Sequence, residues 1–134
     1  MCHTPALKTN SSTAVAALGN QTAALYSDLA LHKMGPALAD NILQGSATGD
    51  EFRTAPLWGL GERIFFMHDG RTSDLVQAIQ EHASGGNAGN GRGFEANWGS
   101  NSQFGPSEAN KVIANYNALT GSQQQDLLNF LRSL

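Results

Sequence analysis

The stretch SEANKVIANYNALTGSQQQDLLNFLRSL, running from Ser107 to Leu134, carries the strongest fold signal in the chain. Ala109, Val112, Ile113, Tyr116 and Leu119 recur three and four residues apart, which places them on one face of a helix, and Ser107 follows Pro106 where a cap belongs. Ser122 after Gly121 starts another helix, whose Leu127, Leu128, Leu131 and Leu134 form a single apolar stripe. Upstream, Ser73 stands as the cap of a shorter helix in which Leu75, Val76 and Ile79 share a face with His82, before Gly85 and Gly86 end it. A further helix is read from Thr22 to Lys33, stopped by Gly35 and Pro36. Only Arg63 to Met67 has the aromatic and β-branched character of a strand. The expectation is a mainly α domain with long ordered loops, one of them between Asp40 and Gly61, and a Gly/Asn-rich insertion over Gly85–Gly105.

Composition narrows the function classes. A chain of 134 residues with 40% apolar content and 14% charge is one ordinary globular domain with a modest core. Its eight Lys and Arg residues are scattered and the net charge is −3, so no basic surface exists to neutralise a row of phosphates or an anionic membrane. Nucleic acid is excluded as a partner on that ground. No stretch reaches the roughly 18 apolar residues of a membrane span, and Met1 to Asn10 has neither the basic nor the apolar region of an export signal. The single cysteine, Cys2, has no partner for an internal disulfide; its significance lies in its neighbour, His3.

Met1-Cys2-His3-Thr4-Pro5 resembles the end of a C-x-x-C-H haem-attachment motif, with Met1 standing just before the second cysteine. In such a motif two thiols add to the porphyrin vinyl groups, and the following histidine reaches the iron. Downstream, Leu25-Tyr26-Ser27-Asp28-Leu29 and His32-Lys33-Met34-Gly35 are similar to a segment of the bacterial di-haem oxidoreductases, the di-haem cytochrome c peroxidase-like family. So are Glu51-Phe52-Arg53-Thr54-Ala55-Pro56-Leu57-Trp58-Gly59-Leu60-Gly61 and Met67-His68-Asp69-Gly70-Arg71, which resemble the loop that those proteins place beside a haem. The closing helix resembles the last helix of a cytochrome c domain.

The resemblance implies that residues 1–134 form a partial cytochrome c-like domain, the C-terminal haem c domain of such an oxidoreductase, cut short inside its attachment motif and missing its N-terminal helix. One haem c is implied, with Cys2 as covalent anchor, His3 as the proximal iron ligand and His82 as the distal one. Methionine is common at that distal position in the family, and a second histidine favours a lower reduction potential and closes the iron to peroxide. His68 is implied in the distal loop, either polarising a bound ligand or holding the turn at Asp69 and Gly70. Arg53 and Arg71 are read as partners of the haem propionates, or as ordinary ion pairs, and Trp58 as a shield for the haem edge or a core filler. His32, Met34 and Met67 also carry donor atoms, but a methionine closing an apolar segment ordinarily packs. The implied setting is periplasmic, with the N-terminal haem domain of the parent and a small redox protein as partners. Electron transfer is the expected role of this part and peroxide reduction that of the parent. The rival expectation is a haem-free helical or interaction module whose histidines are structural.

Overall fold

The computed structural model describes residues 1–85 and 103–134, so most of the Gly/Asn-rich insertion lies outside the described residues. Two short antiparallel sheets come first. Strand β1 (Leu7–Lys8) pairs with β2 (Thr22–Ala23), and β3 (Leu31–Lys33) pairs with β4 (Glu51–Arg53) with His32 opposite Phe52. A 3-10 turn at Leu60–Glu62 precedes helix α1 (Leu75–Gln80), and the chain closes with α2 (Asn110–Asn117) and α3 (Gly121–Arg132).

The mainly α expectation is overturned: among the described residues the fold is mixed, three helices sharing the chain with two two-stranded antiparallel sheets. The helix read over Thr22–Lys33 does not form, and local chemistry explains why. The Ser27 hydroxyl accepts the Leu29 amide at 2.9 Å and the Asp28 carboxylate accepts the Ala30 amide at 3.0 Å, side-chain bonds that compete with helical ones. Tyr26 and Leu29 take positive φ of 50° and 58°, which a right-handed helix does not admit. The strand read over Arg63–Met67 is also absent, apart from a single bridge between Phe66 and Thr72.

The three helices expected after residue 70 are present, with their caps displaced. Asp74, not Ser73, caps α1 by accepting the Gln77 amide at 2.7 Å. Thr120, not Ser122, opens α3 through a reciprocal capping box with Gln123. Ala109 stands at the cap position of α2 without a side-chain bond, although the Ser107 hydroxyl accepts the Ala109 amide at 3.1 Å.

The core is small. Met34, Leu38, Ala109 and Ile113 form its centre, with Phe52, Met67, Ile79 and Ala83 packed around them. Met34 is thus a core residue, as its position at the end of an apolar segment suggested. Around this centre the segments are fastened by main-chain crossings. The Ser84 hydroxyl donates to the Met34 carbonyl at 2.8 Å, and the Ser107 amide donates to the Ser84 carbonyl at 2.8 Å. Gly35 sits inside that crossing with φ +72°. At the other end, α3 docks on the Leu60–Glu62 turn so closely that Gly61 faces the Arg132 carbonyl with no room for a Cβ. The Gly59 amide donates to the Leu134 carbonyl at 2.8 Å, and Tyr26 meets Phe130 edge to face at 5.6 Å.

Candidate functional site

Cys2 and His3 lie on a segment held by main-chain bonds from the turn that replaced the expected helix. The Asp28 amide donates to the Cys2 carbonyl at 2.8 Å, and the Tyr26 amide to the Pro5 carbonyl at 3.2 Å. Tyr26, a bulky residue in left-handed conformation, in turn points its carbonyl at the His3 ring, 2.8 Å from Nδ1. Backbone strain of this sort, of order 1–3 kcal/mol, persists where the surroundings over-determine it. A carbonyl oxygen can only accept, so Nδ1 carries the hydrogen and the neutral ring offers the lone pair of Nε2.

His82 repeats that arrangement from another element. It follows α1, and its Nδ1 donates to the Ala78 carbonyl one turn back at 2.7 Å, which again leaves Nε2 as the free donor atom. Burial pushes the imidazole below its ordinary value, the Ala78 bond works against that, and the charge of nearby His3 adds to the lowering. A histidine kept neutral is the form that ligates a metal. The segment is anchored by the Ser107 hydroxyl, which donates to the His82 carbonyl at 2.6 Å. Each of the two imidazoles therefore has Nδ1 tied to a main-chain carbonyl. That is the outer-shell pattern of metal-bound histidine.

The other residues singled out from the sequence have contacts of their own. His68 is exposed and stacks on Phe52, ring centroids 4.5 Å apart, while the turn after it is held by the Asp69 carboxylate accepting the Arg71 amide at 3.2 Å. The turn-holding role thus belongs to Asp69. Arg71 is engaged on three sides: by Asp69 at 2.7 Å, by the Ala37 carbonyl at 2.8 Å, and by the buried Glu81 carboxylate at 3.8 Å. Arg53 is exposed, and its side chain makes no hydrogen bond or ion pair among the described residues. Trp58 is no core filler: it is 57% exposed, with its indole N–H on the Ala24 carbonyl.

One arrangement escaped sequence reading. The His32 ring lies between two carboxylates, Nε2 at 2.9 Å from Asp28 and Nδ1 at 2.8 Å from Glu108. Asp28 and His32 are four residues apart, but Glu108 lies far along the chain and nothing in the sequence announces it. Cys2, Asp28 and His32 bring donor atoms within 4.8 Å of one another, the span of a small metal site. The bonding argues otherwise. Both ring nitrogens face acceptors, so His32 is held as imidazolium with no lone pair to give, and the thiol is pushed up by burial and by Asp28. The same bonding removes His32 from the potential iron ligands.

Two half-buried imidazoles, each with Nδ1 bonded to a main-chain carbonyl and one of them directly after a cysteine, make a donor set that fits a metal cofactor. The chain is, more particularly, a member of the di-haem oxidoreductase family: the family described as "di-haem oxidoreductase, putative peroxidase" matches residues 1–97. Haem binding is the property that membership implies. No curated protein and no solved structure matches the chain. No helix among the described residues is long and apolar enough to cross a membrane.

Proposed function

We propose that this chain is the haem c-binding, electron-transfer domain of a di-haem oxidoreductase, its C-terminal haem domain, in which His3 and His82 would hold the iron. The observation that carries the reading is the shared bonding of the two rings, in each of which a main-chain carbonyl holds Nδ1 and leaves Nε2 for a metal. Haem supplies reversible one-electron chemistry when bound. The chain's own residues do the positioning. Tyr26 would orient His3, Ala78 would orient His82 while Ser107 holds its segment, and Cys2 would be the covalent anchor. Arg53 is the unengaged cation for a propionate, ahead of Arg71, and Trp58 is the exposed aromatic for the haem edge. With both histidines holding the iron, this chain would carry electrons rather than reduce peroxide, reduction of substrate falling to the family's other haem domain and electron donation to a small redox protein. The periplasm is the compartment this reading calls for, because haem c attachment occurs outside the cytoplasm.

The test is a visible spectrum of the chain matured with the haem-attachment machinery, oxidised and reduced, with a pyridine haemochrome assay. A low-spin spectrum with acid-resistant haem, lost in His3→Ala and turned high-spin in His82→Ala, is the expected result. Absence of haem, or a His82→Ala spectrum unchanged from the parent, refutes the ligand assignment and leaves the histidines as structural residues.

A further inference from the structure

The Asp28–His32–Glu108 arrangement has no part in the ligand set, yet it touches both segments that carry the ligands. On one side, Asp28 donates its amide to the Cys2 carbonyl at 2.8 Å, next to the Tyr26 carbonyl that orients His3. On the other, Glu108 is fastened to β3 three times. Its amide donates to the Lys33 carbonyl at 2.9 Å, its Oε1 accepts the Lys33 amide at 3.1 Å, and its Oε2 meets His32 at 2.8 Å. Glu108 directly follows Ser107, whose hydroxyl holds the His82 carbonyl at 2.6 Å. His32 is the side chain at which the two paths meet.

We propose that His32 is a proton-operated clamp joining the segment that carries His3 to the segment that carries His82. The geometry requires the proton. Both ring nitrogens lie 2.8–2.9 Å from carboxylate oxygens, and only an imidazolium has two N–H groups to donate. When the proton leaves, one carboxylate faces a ring lone pair instead of a donor, and Asp28 and Glu108 lose the cation between them. Of the surrounding charges, Lys33 acts on Glu108 and remains when the proton leaves. The Cys2 thiol lies within 4.8 Å of the Asp28 and His32 donor atoms. Across the strand pair, the Glu51 carboxylate is taken up by Thr48, and Lys33 opposite it is the cation on β3, with its side chain exposed.

The direction of the pH response follows. The carboxylates of Glu108 and Asp28 hold the imidazolium above its ordinary value of 6.5. The clamp is therefore complete below 6.5 and is lost as pH rises through the raised value. Its lower edge is set by the carboxyls, Asp28 being held down to about 2. Between those limits the two histidine-bearing segments are tied together; above them they are joined only by the core and the remaining main-chain bonds. The clamp stands whether or not iron is held, and its consequence for the iron ligands rests on the function proposed above.

The experiment is a pH series on the purified chain, reading histidine ring nitrogens by heteronuclear NMR and amide hydrogen exchange corrected for intrinsic rates. His32 is expected to titrate above the ordinary histidine range, with a lower midpoint in Asp28→Asn and in Glu108→Gln. Protection of the Asp28 and Glu108 amides is expected to fall roughly tenfold across that titration, the scale of one partly shielded charge-assisted bond. The Gly59 amide, bonded at the α3 end, serves as the reference and holds steady. In His32→Gln the two amides stay at the high-pH level throughout; if that variant does not fold, Glu108→Gln supplies the comparison. An ordinary or lowered His32 midpoint, or amide protection that ignores it, overturns the proposal. So does zinc that binds the chain with release of the His32 proton, which would make Cys2, Asp28 and His32 a metal site. None of these readouts needs haem, so a chain without haem whose His32 titrates as described refutes the electron-transfer reading alone.

Discussion

Replacing Gly35 by alanine tests the crossing on which the His82 segment hangs. Gly35 has φ +72°, and a side chain there costs about 1–2 kcal/mol in left-handed strain. Its new Cβ would also fall inside contact distance of the Ser84 Oγ and 2.9 Å from the Ser107 amide nitrogen. The hydroxyl can rotate away, but only by leaving the Met34 carbonyl it now bonds at 2.8 Å, a buried bond whose loss costs about 1–3 kcal/mol. The amide nitrogen cannot rotate away at all, because it donates to the Ser84 carbonyl at 2.8 Å. The sum is a loss of roughly 3 kcal/mol, a large share of the stability of any domain this size. Urea denaturation followed by far-ultraviolet circular dichroism measures it. Ser84→Ala alone loses the bond, and the double variant loses less than the two singles together, because the displaced hydroxyl is counted in both. A loss under about 1 kcal/mol in Gly35→Ala, or strict additivity, refutes the reasoning.

Other outcomes follow from the charged groups. Arg71→Ala should lower stability by about 1–2 kcal/mol, since the buried Glu81 carboxylate loses its cation at 3.8 Å and the Ala37 carbonyl its donor. Arg71→Lys should not restore it, because a point ammonium cannot serve both partners; equal melting temperatures for the Arg71→Lys variant and the parent would count against this. Acid should weaken the fold through Asp28, whose carboxyl is held by His32 and the Ala30 amide down to about 2 from an ordinary 3.8. Its contribution is complete above 3.8 and disappears as pH falls through about 2, so between pH 5 and 2 the melting temperature should drop less steeply in Asp28→Asn than in the parent.

The parts of this protein that were legible in its sequence are those governed by neighbours along the chain. Helical spacing in residues 107–134 and around Leu75–Ile79 marked α1, α2 and α3, because bonds within a helix join residues four apart and the apolar faces follow from that period. Cys2 beside His3, the family to which the segments belong, and His82 at the end of its helix were likewise local patterns. The false helix over Thr22–Lys33 came from the same habit of reading, for its residues have helical spacing but spend their bonding capacity elsewhere. Strand β3 pairs with β4 some twenty residues away, a contact that no local pattern encodes.

Only the tertiary structure decided what the chemically able side chains face. Residue type gives His3, His32, His68 and His82 the same donor atoms, and only the resemblance set His3 and His82 apart. Their partners separated them: main-chain carbonyls leave His3 and His82 a free Nε2, two carboxylates occupy His32, and Phe52 stacks on His68. Those partners come from Tyr26, Ala78, Asp28, Glu108 and Phe52. Apart from Ala78 and Asp28, each four residues from its histidine, they are brought in by packing rather than by sequence proximity. A ring's chemistry depends on which nitrogen keeps its proton, and in a folded chain that is settled by the acceptor a few ångströms away in space.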